Sequence, residues 1–198
     1  MKAILVDDEP DGIRTLQKML QLHCPQVSVA ATCSNAETRL IDVIDSVRGV
    51  EGRAKLGIVN REINLSIAYT SDRLQHASAD VWSSAVMTFS SGQGDCEDFA
   101  IAKYLALREA GIPEQDLRLL VGRLPAIGQA HAVVAARLEG LWLILDNRHI
   151  TMIEDVHATQ LQPLFAFDHA GVRQFSAPAM AANASHERPH SPAAPCPF

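Results

Sequence analysis

The hydrophobic period of this chain changes at Gly111-Ile112-Pro113, and few folds accommodate what lies on either side. Upstream, residues 96–110 carry Phe99, Ala100, Tyr104, Leu107 and Ala110 at helical spacing, and the Gly and Pro end that helix. Downstream the pattern belongs to strands: Leu117–Val121, Ala130–Leu138, Leu141–Leu145 and a last one near Leu164–Phe167. Glu139-Gly140 has the spacing and composition of a hairpin turn.

Before residue 96 the chain alternates between elements. Residues 2–6 read as a short buried strand, 11–23 as an amphipathic helix ended by Pro25, 27–32 as a second strand. Residues 34–47 read as a helix, with Ser34 and Glu37 in a capping-box pattern. Gly49 and Gly52 break this β-α-β-α front end. A helix is expected over 55–69 on Leu56, Ile58, Val59, Ile63, Leu65 and Ile67, and a shorter segment over 80–89 with Trp82 and Phe89. Residues 176–198 hold mostly Ala, Pro, Ser and His, with little to bury, and are expected to be disordered.

Composition excludes some partners. A net charge of −6 over 198 residues, with no basic run, argues against nucleic acid, whose phosphates demand clustered Lys and Arg. Cys24, Cys33, Cys96 and Cys196 fit neither a zinc pattern nor a disulfide framework. The N-terminal apolar run is four residues long and acids come directly after it, so neither a signal peptide nor a membrane span is expected, and the chain as written reads as cytoplasmic.

The chemistry centres on Gly92-Gln93-Gly94-Asp95-Cys96-Glu97-Asp98, where a helix is expected to begin. A helix N-terminus favours a thiolate, whereas adjacent carboxylates oppose it. A bound cation resolves the conflict, and Asp95, Glu97 and Asp98 are hard oxygen ligands suited to Ca²⁺. A plain N-cap at Asp95 with Asp98 closing a capping box is the alternative. His131 opens an apolar strand and Asp146 ends the next. With Glu139-Gly140 as the turn, paired residues sum to about 279, so His131 and Asp146 fall opposite or one diagonal step apart. Cys96 as nucleophile, His131 as base and Asp146 accepting the His Nδ1–H can form a triad. Trp82, Gln93 and the Cys96 backbone N–H are candidates for the oxyanion and substrate side.

The chain carries two resemblances. Lys2-Ala3-Ile4-Leu5-Val6-Asp7-Asp8-Glu9-Pro10 resembles the start of a response-regulator receiver domain over residues 1–45, which implies a vestigial Mg²⁺ site at Asp7 and Asp8. The phospho-acceptor Asp expected near residues 48–58 is missing. Val59-Asn60-Arg61-Glu62-Ile63-Asn64, Trp82, the Gly92–Tyr104 run, Leu107–Pro113, Gln129-Ala130-His131 and Leu145-Asp146-Asn147 resemble the bacterial transglutaminase-like cysteine proteases, the LapG-like adhesin proteases, over residues 46–175.

That second resemblance implies an α+β, papain-like and transglutaminase-type fold, with Cys96, His131 and Asp146 catalytic and Ca²⁺ held by Asp95 and Glu97, with Asp98 beside them. It also implies a large surface adhesin as substrate, control by an inner-membrane receptor for cyclic-di-GMP, a role in biofilm release, and periplasmic relatives. The expected organisation is a receiver-like segment at 1–45, the protease domain at 46–175 and the tail at 176–198. Two other readings stay open: an acyltransferase using the same triad, and a signalling or docking protein using the front segment.

Overall fold

The structure is a computed structural model that describes residues 35–77 and 81–175. The receiver-like residues 1–34, with Asp7, Asp8, Cys24 and Cys33, lie outside the described residues, as do the Ser34 cap, the tail and Cys196.

Helix α1 (Asn35–Ser46) buries Leu40, Val43 and Ile44, spaced three and four residues apart on one stripe, and Val47 continues it. These four belong to the same cluster as the buried faces of the later helices and of the sheet. The guanidinium of Arg39 reaches across to donate to the carbonyls of Ser66, at 2.8 Å, and Phe89. The expected boundary at residue 45 therefore does not separate α1 from the later elements: its apolar stripe has the protein core as its partner.

Helix α2 (Gly52–Ser66) buries Leu56, Val59, Asn60 and Ile63, again one stripe. It starts and stops three residues earlier than expected, because Ile67 turns extended. Ala68–Tyr69 then form a short strand, β1, paired in parallel with β2 (Gln93–Gly94). Between them lie α3 (Asp72–Gln75) and α4 (Ala85–Ser91). The Ser84 hydroxyl caps α4 by accepting the Met87 N–H, and Gly92 ends it at φ 66°.

Helix α5 (Cys96–Glu109) is central. From Glu97 to Leu107 every residue but Leu105 is buried, a helix enclosed on all sides. After it come β3 (Leu117–Leu124), β4 (Gln129–Leu138), β5 (Leu141–Leu145), β6 (Ile153–Glu154), β7 (Gln162–Asp168) and β8 (Gly171–Gln174). They form one antiparallel sheet in the order β6-β5-β4-β3-β7-β8.

The β4–β5 turn has positive φ at both Glu139 (52°) and Gly140 (85°), the requirement of a type I′ hairpin. Its register pairs Leu138 with Leu141 and Val134 with Leu145, as the spacing predicts. Ala132, Val134, Ala136, Leu143 and Leu145 meet the helices; the alternate residues Val133, Ala135 and Ile144 form a second cluster with Leu120 and Ala166, under Trp142, Ile153 and Leu161. The fold is thus α+β, helices packed against one face of an antiparallel sheet. Strands β6 and β8 and the β1–β2 pair escape the sequence pattern, being two to four residues long. Among the described residues no helix is long and apolar enough to cross a membrane.

Leu40→Ala should cost about 2–5 kcal/mol of global stability, since it opens a cavity in the shared core. Urea unfolding monitored by a probe in the sheet should show the whole loss. Were α1 a separate module, the sheet's transition would not move.

Candidate active site

The first turn of α5 carries Cys96 into the core beneath β4. Its thiol is free. It donates to Glu97 Oε2 at 3.0 Å and takes the backbone N–H of Ala132, the residue after His131. Burial pushes the thiol pKa well up, the charge and hydrogen bond of Glu97 add to this, and the Ala132 N–H opposes it. Gly94, two residues before, has no room for a side chain: a Cβ there would lie 2.7 Å from Asp98 Cβ.

His131 and Asp146, each 5% exposed, are joined at 2.9 Å. The ring nitrogen facing Asp146 is Nε2 and not the expected Nδ1. Pairs in this hairpin sum to 279, so Asp146 lies one diagonal step from His131. Gly122 stands opposite His131 on β3, where the ladder to β7 shifts register.

Asp146 is held from several sides. Arg148 donates to both carboxylate oxygens from its side chain, at 2.8 Å from Nη2 to Oδ2, and its backbone N–H donates to Oδ1 at 2.9 Å. Burial would raise the Asp146 pKa, but the hydrogen bonds from His131 and Arg148 outweigh it and keep the carboxyl well below the usual range. Helix α2 fixes the loop behind it. The Asn64 amide donates to the carbonyls of Asp146 and His149, and the Asn60 amide to those of His149 and Ile150. Lys103, 1% exposed on α5, has its pKa lowered to about 7 by burial, against the pull of the Asp146 charge.

The carboxylates divide differently from the expectation. Asp72, Asp95 and Glu97 bring an oxygen each to within 4.8 Å of one another, the group among the described residues able to hold a metal ion. Asp98 is not in it. Its carboxylate accepts the Ser83 backbone N–H at 2.8 Å. The capping alternative is not realised either, for Asp95 stands at the N-cap position without a side-chain capping bond. Buried oxygens Asp72 Oδ1 and Asp95 Oδ1 lack a hydrogen-bond partner. Burial and then the neighbouring Asp95 push Glu97 up to about 10, and burial raises Asp95 too. An all-oxygen, partner-poor set whose negative charge is opposed on all sides fits a hard cation such as Ca²⁺. Of the other expected residues, Trp82 is half-buried against the main core and Gln93 is exposed on β2.

Comparison with known proteins gives these positions a family. The model of the bacterial transglutaminase-like cysteine proteinases (BTLCP) matches residues 26–163. The chain belongs to that family. Among solved structures it is similar to Legionella pneumophila LapG, with 29% identity and a TM-score of 0.63 over 82% of this chain and 87% of that one. Calcium-bound LapG gives the same figures, and EGTA-treated LapG has 28% identity and a TM-score of 0.64 over 83% and 86%. Comparison with curated proteins finds no match.

The protein is thus a cysteine protease of the transglutaminase-like type, and its substrate is a protein. The Mg²⁺ expectation at Asp7 and Asp8 has no support, since the family match begins after them. The cytoplasmic expectation rested on residues outside the described ones and gains nothing from the family. Sequence reasoning missed Asp72, Arg148 and the roles of Asn60 and Asn64. Only Asn60 and Asn64 gave a signal, polar residues four apart on an apolar helical stripe.

The depressed Asp146 pKa fixes a pH dependence. A carboxyl whose pKa falls on folding contributes stability that is complete above about pH 5 and is lost as pH drops below about 4 toward the folded value. The urea midpoint of the protein should therefore fall faster on acidification than that of Asp146→Asn, the two curves converging at low pH. Parallel curves would contradict the assignment.

Proposed function

We propose that this protein is a Ca²⁺-dependent endopeptidase working through Cys96, His131 and Asp146, with a large bacterial surface adhesin as substrate and a cyclic-di-GMP receptor of the inner membrane as its controller. The observation that carries the chemistry is the placement of the Cys96 thiol against the Ala132 N–H, one residue from a His131 already bonded to Asp146. The adhesin, the receptor, a part in biofilm release and a periplasmic site of action are supported by likeness to LapG over most of both chains.

In this reading His131 uses Nε2 to hold Asp146, which leaves Nδ1 for the thiol proton. The thiolate attacks the peptide carbonyl and forms a C–S bond. The proton passes from His131 to the departing amine as the C–N bond breaks, leaving a thioester. Water, deprotonated by His131, then releases the acid and restores the thiol. Asp146, clamped by Arg148, keeps the imidazole oriented and supports its charged form. The backbone N–H of Cys96 and the Trp82 and Gln93 side chains serve the carbonyl oxygen and the substrate. Asp72, Asp95 and Glu97 would hold Ca²⁺, which when bound supplies the positive charge that offsets their carboxylates beside the thiol.

Iodoacetamide should label Cys96 faster with Ca²⁺ than with a chelator, and His131→Ala should slow that labelling by about 10²-fold or more. Cys96→Ala should abolish cleavage of an adhesin N-terminal segment while leaving the circular dichroism spectrum intact. Slow labelling indifferent to Ca²⁺ and to His131 would end the proposal.

A further inference from the structure

The segment bearing Trp82 is strapped on both sides by carboxylates. The Val81 N–H donates to Asp72 Oδ2, and the Ser83 N–H donates to Asp98 Oδ1 at 2.8 Å. Asp98 lies on α5 two residues after Cys96, so one strap ties Trp82 to the nucleophile's own helix. The other strap ends on a residue with a second allegiance. Asp72 is 2% exposed, its Oδ2 is taken by Val81, and its Oδ1 is buried without a partner. The same carboxylate contributes to the group with Asp95 and Glu97.

From this shared carboxylate we infer that Asp72 is a positioning residue that couples cation binding to the backbone position of Trp82. The inference rests on the proposed cation site and goes beyond it. A carboxylate has one plane and two oxygens. Holding either oxygen in a cation's shell fixes the plane of the carboxylate, and with it the oxygen that accepts from Val81 and the backbone on which Trp82 stands. Without a cation, three crowded carboxylates repel one another, and Asp72 is the member whose carboxylate also holds the Val81 backbone. Trp82 and Cys96 both pack against the main core cluster, and the Ser83 N–H is held by Asp98 on the helix that begins at Cys96.

The chain holds two tryptophans, so Trp142→Phe leaves Trp82 as the sole indole emitter. Trp142 stacks under Arg118 at 4.1 Å in the other core cluster and reports nothing of this site. CaCl₂ would be titrated into the full chain by calorimetry and by fluorescence in parallel. Trp82 emission should change saturably along the calorimetric isotherm. Asp95→Asn should weaken binding yet give the full Trp82 response at saturation, because Asp72 is intact. Asp72→Asn, which still offers an oxygen to Val81, should give no response at saturation.

Hydrogen exchange at the Val81 amide of the unsubstituted chain carries the test independently of any variant. Ca²⁺ should slow it by about tenfold. Heat of binding with a silent Trp82, an Asp72→Asn response equal to that of Asp95→Asn, or a Val81 exchange rate indifferent to Ca²⁺ would overturn the coupling and leave the cation site standing. No heat of binding at all would bring down both.

Discussion

Negative charge gathered in a dry place is the constraint around which the structure is organised. Asp72, Asp95, Glu97 and Asp98 are brought to the start of a helix that the core encloses, and the thiol sits among them. Carboxylates can be kept there only by hydrogen-bond donors, protons or a cation. Two of them use backbone N–H groups of the segment around Trp82. Asp72, Asp95 and Glu97 each bring one oxygen within 4.8 Å of the others. Burial, with the charge of Glu97 added to it, raises the Cys96 pKa, and the same dry, acidic setting opposes the crowded carboxylates. In the proposed mechanism thiol activation and cation binding are therefore one electrostatic problem.

The opposite end of the site solves a different problem, that of orientation. Asp146 ends a buried strand, and its carboxylate is shared between His131 and Arg148 while α2 grips the adjoining loop through Asn60 and Asn64. The hydrogen bonds from His131 and Arg148 hold Asp146 ionised, where burial and the neighbouring Asp95 push Glu97 toward protonation. Two environments within one site therefore move the same functional group in opposite directions, and each direction suits its task.

Much of this is legible in the chain. Long elements with a clear period, such as α5 and the β4–β5 hairpin, emerge close to their expected limits, and the two-residue turn fixes the pairing of His131 with Asp146 from spacing alone. What the sequence hides is contact over long separations. Nothing local marks Asp72 as a neighbour of Asp95, for the link is made by the parallel β1–β2 pair, two residues long, that carries the chain back beside Gly94. Arg148 looks like an ordinary turn residue until the backbone curls it onto Asp146. Single-turn helices and the shortest strands carry too few residues to show a period. A pairing sum gives position along strands and not reach across them, so it does not tell Nε2 of His131 from Nδ1.

The Glu139-Gly140 turn has a consequence for how this site can vary. Side chains alternate along both strands, so the turn acts as the ruler that sets which of them share a face. One residue added to it would carry Asp146 through to the far side of the sheet and leave His131 without its partner. Two would keep the face but lengthen the gap by a full pleat. Length change in this corner is therefore quantised: only a longer connection that leaves the ladder from Val134–Leu145 to Leu138–Leu141 in register adds surface without separating His131 from Asp146.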